Sequence, residues 1–298
     1  MTPPALDREI VPDAADPIGL DGIEFIEYTT ARPQALGQVL ETMGFRPIAR
    51  HRSREVMLYR QGEMNVVVNA SGPAPLEPGG GVDDSPKIAA IALRVRDAAA
   101  AYRHTLDLGA WAVPTQVAVM ELNIPAIHGV GGSRIYFVDR YREFSIYDVD
   151  FTAIPSVDQH PPALAGLHWF GIVQYIGNDR MQDWTAFYST LFGFSVLPDD
   201  RRFGVMPKGR VLMGPGSAGS RFYIQLIEPE PGILDAEGKE WLARIGLGTR
   251  DPRACVAALR ERGVTFAESA AVHTEERGAL TRTQLGSVVF ELVRDLER

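Results

Sequence analysis

The sequence predicts an α+β fold of four βαβββ modules arranged in two tandem halves. Three observations carry this reading. A strand–helix–glycine–strand pattern occurs four times, the glycines are spaced alike within each half, and short runs of alternating polarity lie between the helices. Gly44 and Gly109 are 65 residues apart, and Gly193 and Gly263 are 70 apart. The halves repeat in turn, with Gly44 and Gly193 separated by 149 residues and Gly109 and Gly263 by 154.

The first module reads GIEFIEYTT, then the helix PQALGQVLETM, then Gly44 and FRPIAR. The second runs from IAAIALRV through DAAAAYRHTLDL to Gly109 and AWAV. The third runs from GLHWFGIVQYI through MQDWTAFYSTLF to Gly193 and FSVL, and the fourth from ARIGLGT through DPRACVAALRER to Gly263 and VTFAE. Each glycine stands where a helix end calls for positive φ, a conformation that costs glycine little. Asp97 and Asp251 are placed to cap the second and fourth helices, with Pro252 at a first helical position. EVMLYRQ, MNVVVNA, SRIYFVD, RVLMG, FYIQLIE and SVVFELV read as the remaining strands. The expected halves are 17–155 and 164–298, joined by the Pro-rich stretch 156–166. Residues 71–87, rich in Pro and Gly, read as a surface loop. Trp184, Phe187, Tyr188 and Phe192 recur at helical spacing and read as core, and GVGGS at 129–133 reads as a turn between strands.

Composition narrows the function classes. Hydrophobic residues at 45% and charged residues at 23% match a soluble globular protein. Thirty basic against 38 acidic residues leave a net charge of −8, with no positive stripe to track phosphates, so nucleic acid is not an expected partner. No apolar run reaches the roughly 18 residues that span a bilayer, and no signal-peptide pattern is visible, so the expectation is a cytoplasmic protein with no membrane partner. Cys255 is the sole cysteine, which excludes an internal disulfide and any cysteine-based metal cluster.

Paired βαβββ modules resemble the vicinal oxygen chelate (glyoxalase-like) superfamily. The first half, over about 17–151, resembles bacterial 4-hydroxyphenylpyruvate dioxygenases. It does so through EFIEYTT, the run MGFRPIARHRSREVMLYRQGEMNVVVNA, ELNIPAIHGVGGSRIYFVDRY and SIYDVDF. The second half is similar in outline through FGF at 192–194, GLGTRD at 246–251 and VVFELV at 288–293. The resemblance implies a structural first half and a second half holding Fe(II) on two His and one Glu, a facial triad with positions open to oxygen and a 2-keto acid. Aligned on the family pattern, Ile172 and Arg244 stand at the two imidazole positions, and only Glu291 survives as a ligand. The triad is therefore expected to be lost and no cofactor is expected, with Fe(II) kept only for an alternative that uses unconventional ligands.

Arg244 and Glu291 are the sharpest candidates. A guanidinium in the place of a metal can hold a carboxylate, with Glu291 as base, and the alternative is a structural ion pair. His168, Gln174, Gln225 and Gln284 are expected to line the same second-half cavity. Counted as a regular strand, His168 faces the same side as Ile172, four residues on. His273 could approach only through an inward-folded loop, and RHRSR at 50–54, His51 included, reads as a solvated edge. The function expected first is metal-independent proton-transfer chemistry on a small aromatic or 2-keto acid. The alternatives are a non-catalytic small-molecule binding protein and an iron-dependent dioxygenase-like enzyme. A homo-oligomer stays open.

Overall fold

The computed structural model describes residues 16–70, 84–114, 122–198, 209–216, 219–228, 239–267 and 278–296. Most of the 71–87 loop, and His273, lie outside them. The first module is β1 (Leu20–Thr29), α1 (Pro33–Thr42), β2 (Arg46–His51), β3 (Val56–Gln61) and β4 (Met64–Asn69). The second is β5 (Lys87–Val95), α2 (Ala98–Asp107), β6 (Ala126–His128) and β7 (Arg134–Val138), followed by α3 (Ile146–Asp150) and β8 (Phe151–Ala153). The third is β9 (His168–Tyr175), α4 (Met181–Phe192), β10 (Ser195–Val196), β11 (Arg210–Met213) and β12 (Tyr223–Ile227). The fourth is β13 (Trp241–Thr249), α5 (Pro252–Glu261), β14 (Gly278–Leu280) and β15 (Phe290–Arg294).

The helix ends follow the sequence closely. All four terminating glycines take positive φ, between 73° and 102°. Asp97 accepts a hydrogen bond from the Ala100 amide and Asp251 from the Ala254 amide, so both cap as expected.

Strand order shows the repeat in three dimensions. The first sheet runs β6-β7-β5-β1-β4-β3-β2-β8 and the second β10-β11-β12-β9-β13-β15-β14. At the centre of the first sheet, β4 and β1 are parallel, β1 and β5 antiparallel, and β5 and β7 parallel. The second sheet repeats this with β12, β9, β13 and β15. The second and fourth modules depart from the full pattern. The strand after each helix is reduced to one bridging residue, Ala112 opposite Ile127 and Phe266 opposite Thr281.

One core holds the halves together. The same buried cluster contains Leu36 and Leu40 of α1, Ala101 of α2, Tyr188 and Phe192 of α4 and Val256 and Leu259 of α5. The sheet faces that those helices cover belong to it as well, and rings meet across the halves at Phe45–Trp169 and Phe137–Phe192. The expected aromatic stripe of α4 lies in this core. Arg262, just after α5, donates to the terminal carbonyls of Thr42 and Glu41 at the end of α1. That satisfies acceptors which a helix end leaves open. The opposite, inner face of each sheet has its own smaller cluster, around Phe25, Val67 and Tyr147 in the first half and Phe170, Tyr223 and Val293 in the second.

Candidate functional site

Two β-bulges decide which side chains face the inner side of the second sheet. On β9, Trp169 pairs with Leu247 and Gly171 with Gly246, so Phe170 is an extra residue. A bulge sets two consecutive residues on one face and reverses parity beyond it. Trp169 and Ile172 accordingly lie in the helix-side core, while Phe170 lies in the inner cluster. On β13 the second bulge is at Ala243, between Leu242 opposite Gln174 and Arg244 opposite Val173.

The register then builds one row across four strands: Tyr223 of β12, Gly171 of β9, Gly246 of β13 and Glu291 of β15. Arg244 stands two residues before Gly246, on the same face. Its Nε donates to Glu291 Oε2 at 2.7 Å, with side chains only 6% and 3% exposed. β13 and β15 are adjacent parallel strands, so the pair bridges neighbours in one sheet and does not reach across a cleft. Among the described residues, Arg244 Nη2 is buried with no hydrogen-bond partner.

Little space remains beside this pair. Phe170 stacks on Tyr223 with ring centroids 4.6 Å apart and fills the inner face. The space left around Glu291, Gly171, Gln225 and Val211 is about 30 Å³, enough for roughly one or two waters. A drug-sized ligand site is on the order of ten times larger.

The other expected site residues divide. Gln225 lines the small space with Glu291. Gln174 does not. It lies on the helix-covered face, where its Oε1 accepts from the Tyr188 hydroxyl at 2.6 Å while its Nε2 is buried without a partner among the described residues. The bulge is the reason, since a strand counted without it gives the wrong side. The same count fails for Ile172, whose side chain packs in the helix-side core, and for its supposed shared face with His168. His168 stands over Gly248 of β13, and its Nε2 meets Asp295 Oδ2 at 2.9 Å. Gln284 is also not at the site. It belongs to a turn, bridged from Gln284 to Val288, that docks on the first half through Ser287 and Pro86.

The Fe(II) centre implied by the family resemblance does not fit these residues. The β9 position in register with Glu291 is Gly171, where a β-carbon would stand 2.2 Å from the carbonyl oxygen of Tyr223. An imidazole there would have to displace β12. Glu291 is occupied by Arg244, a fixed cation. Among the described residues no group of three His, Cys, Asp or Glu side chains is disposed to hold a metal.

The first half holds the larger cavity, about 500 Å³, on the inner face of its sheet. Glu27, Asn69, Arg134 and Tyr136 supply polar groups there, and Phe25, Val67 and Phe151 supply apolar walls. Asn69 Nδ2 donates to Glu27 Oε1 at 2.8 Å, and Arg134 donates to the Tyr136 hydroxyl at 3.2 Å. Burial pushes the Glu27 carboxyl above its usual range, with Asn69 and the Arg134 and Arg54 cations opposing. The sequence reading missed this site. His51, expected on a solvated edge, lines it because β2 is covered by β8 and the His51 ring packs on Phe151. Arg54, in the turn after β2, lines it while remaining exposed as expected. The available signal was Glu27, a carboxylate inside the apolar strand GIEFIEYTT.

Comparison with known proteins agrees with the fold. Residues 14–152 match the family described as hydroxyphenylpyruvate dioxygenase, HPPD, N-terminal. Hemolysin VllY of Vibrio vulnificus is 36% identical over 268 residues, covering 85% of this chain and 74% of its own length. A 4-hydroxyphenylpyruvate dioxygenase of Pseudomonas aeruginosa is 33% identical over 273 residues, covering 84% of this chain and 72% of its own. A mutant of 4-hydroxymandelate synthase from Streptomyces coelicolor superposes with a TM-score of 0.70 at 18% identity, over 93% of each chain. Among the described residues no helix is long and apolar enough to cross a membrane.

Proposed function

We propose that this chain, which belongs to the 4-hydroxyphenylpyruvate dioxygenase family, is a metal-independent member that binds a small molecule without activating oxygen. The observation that carries this reading is the Arg244–Glu291 ion pair at 2.7 Å, buried beside Gly171. A buried pair of this kind replaces the charge of a metal with a fixed guanidinium and takes up the one carboxylate that could have served as a ligand. The Phe170–Tyr223 stack removes the room in which oxygen and a 2-keto acid would meet. A cytoplasmic location belongs to the same proposal.

A second reading has one observation in its favour. The orphan Nη2 of Arg244 is a buried donor, and a small carboxylate could satisfy it if the inner face opened. Glu291 would then be the base in a proton transfer on an aromatic or 2-keto acid.

Metal analysis and oxygen uptake test the first reading. The purified chain, incubated with Fe(II) and desalted, is expected to retain no stoichiometric iron and to consume no oxygen with 4-hydroxyphenylpyruvate. One iron per chain, lost on Glu291→Ala, would overturn it. Exchange of the α-protons of a 2-keto acid with deuterium, abolished by Glu291→Gln, would favour the second reading.

A further inference from the structure

We infer that the inner cavity of the first half is a small-molecule binding site, suited to a planar, uncharged aromatic or heteroaromatic compound that presents an O–H or N–H donor to Glu27. The inference rests on the non-oxygenating reading above, because it moves ligand binding from the second-half centre to the other sheet.

Size comes first. At about 500 Å³ the cavity falls within the range of roughly 300–1,000 Å³ typical of small-ligand sites, whereas the space beside Glu291 does not. Shape comes from the register. Glu27 of β1, Ala90 of β5 and Arg134 of β7 stand in one row across three strands. Glu27 and Arg134 line the cavity from either side of Ala90, which is itself fully buried.

The lining then selects the ligand. Phe25, Tyr136 and Phe151 offer ring surfaces, and Val67 offers a flat aliphatic floor, so a planar ring is the group they bury best. At the polar end, Glu27 is a buried acceptor whose recorded hydrogen bond uses Oε1 alone. No hydrogen bond to Oε2 is seen among the described residues, and Glu27 lines the cavity, so this oxygen can accept from a donor on a ligand.

Net charge argues against an ionic ligand. The carboxyls of Glu27 and Asp150 are balanced by the guanidiniums of Arg54 and Arg134 around the same cavity. Neither an acid nor an amine cation gains a net attraction, and each would shed its hydration on entry.

Calorimetric titration of the full chain with indole and with phenol tests the inference, with benzoate as the charged control. Saturable binding of indole or phenol is expected, with benzoate at least tenfold weaker. Glu27→Gln should weaken binding about tenfold or more, because Asn69 already claims one oxygen and the new amide nitrogen cannot accept. Val67→Trp should abolish binding by filling the floor, and Val56→Phe provides a second filling variant if Val67→Trp does not fold. Val211→Phe, which fills the second-half space, should leave the affinity unchanged.

No saturable binding up to millimolar ligand would overturn the inference. So would equal affinities in the wild type, Glu27→Gln and the filled variants, or a loss confined to Val211→Phe. Iron content is measured on the same preparation, so iron-free protein that binds none of the probes would sink this inference while leaving the non-oxygenating reading intact.

Discussion

The carbonyl oxygen of Tyr223 lies 2.2 Å from the point where a β-carbon on Gly171 would stand. Two strands approach so closely here that glycine is the one residue the position accepts without movement. Gly171→Ala is therefore expected to destabilise the chain by about 1–3 kcal/mol through a forced backbone shift. Urea unfolding of the variant checks this, and an unchanged midpoint would mean that β12 yields freely. For the same reason, Gly171→His combined with Arg244→His should lose stability before it gains metal affinity. Ile172→His would place an imidazole in the helix-side core.

Breaking the ion pair on one side should cost more than removing it whole. Arg244→Met leaves Glu291 buried without its cation, a loss of about 3–5 kcal/mol. Arg244→Met with Glu291→Leu removes both charges and should recover most of that stability. Chemical denaturation of wild type, both single variants and the double variant completes the cycle. A double variant as weak as Arg244→Met would show that the pair contributes through packing alone.

Glu27 gives a pH signature. Its carboxyl is held above the ordinary value of 4.5, chiefly by burial, so folding disfavours its charged form. Stability from this group is complete below the usual carboxylate range and is lost as pH rises through the raised value. Glu27→Gln should thus match the wild type near pH 4 and exceed it at pH 7–8. Thermal melts across that range test the sign, and a variant less stable at pH 8 would contradict it.

Cys255 should be inert in the folded chain. It is buried on α5, and burial, with Asp251 nearby, pushes its thiol up to about 12. Alkylation by iodoacetamide at pH 8 should be undetectable in native protein and rapid in 6 M guanidinium. Reaction in the native state at the rate of a free thiol would show that α5 opens locally.

Local chemistry carried much of this protein into view from sequence alone. Glycines that end helices, aspartates that begin them and strands with a period of two depend on nearest neighbours. The fourfold module pattern and the helix boundaries follow from such rules, whereas the pairing of Arg244 with Glu291 came into view only through the family resemblance. Facing direction is different, because it accumulates along a strand. A single bulge residue at Phe170 turns Ile172 and Gln174 toward the helices and leaves Gly171 beside Glu291. Nothing in the run HWFGIVQY marks that extra residue, since its apolar side chains suit either face of a sheet with both sides buried. Space was equally hidden. The Phe170–Tyr223 stack fills one inner face while the other keeps a cavity of about 500 Å³, and volumes of that kind are set by residues brought together from separate strands. The sequence determined which elements form and in what order. Tertiary packing decided which of the two inner faces was left with room for a ligand.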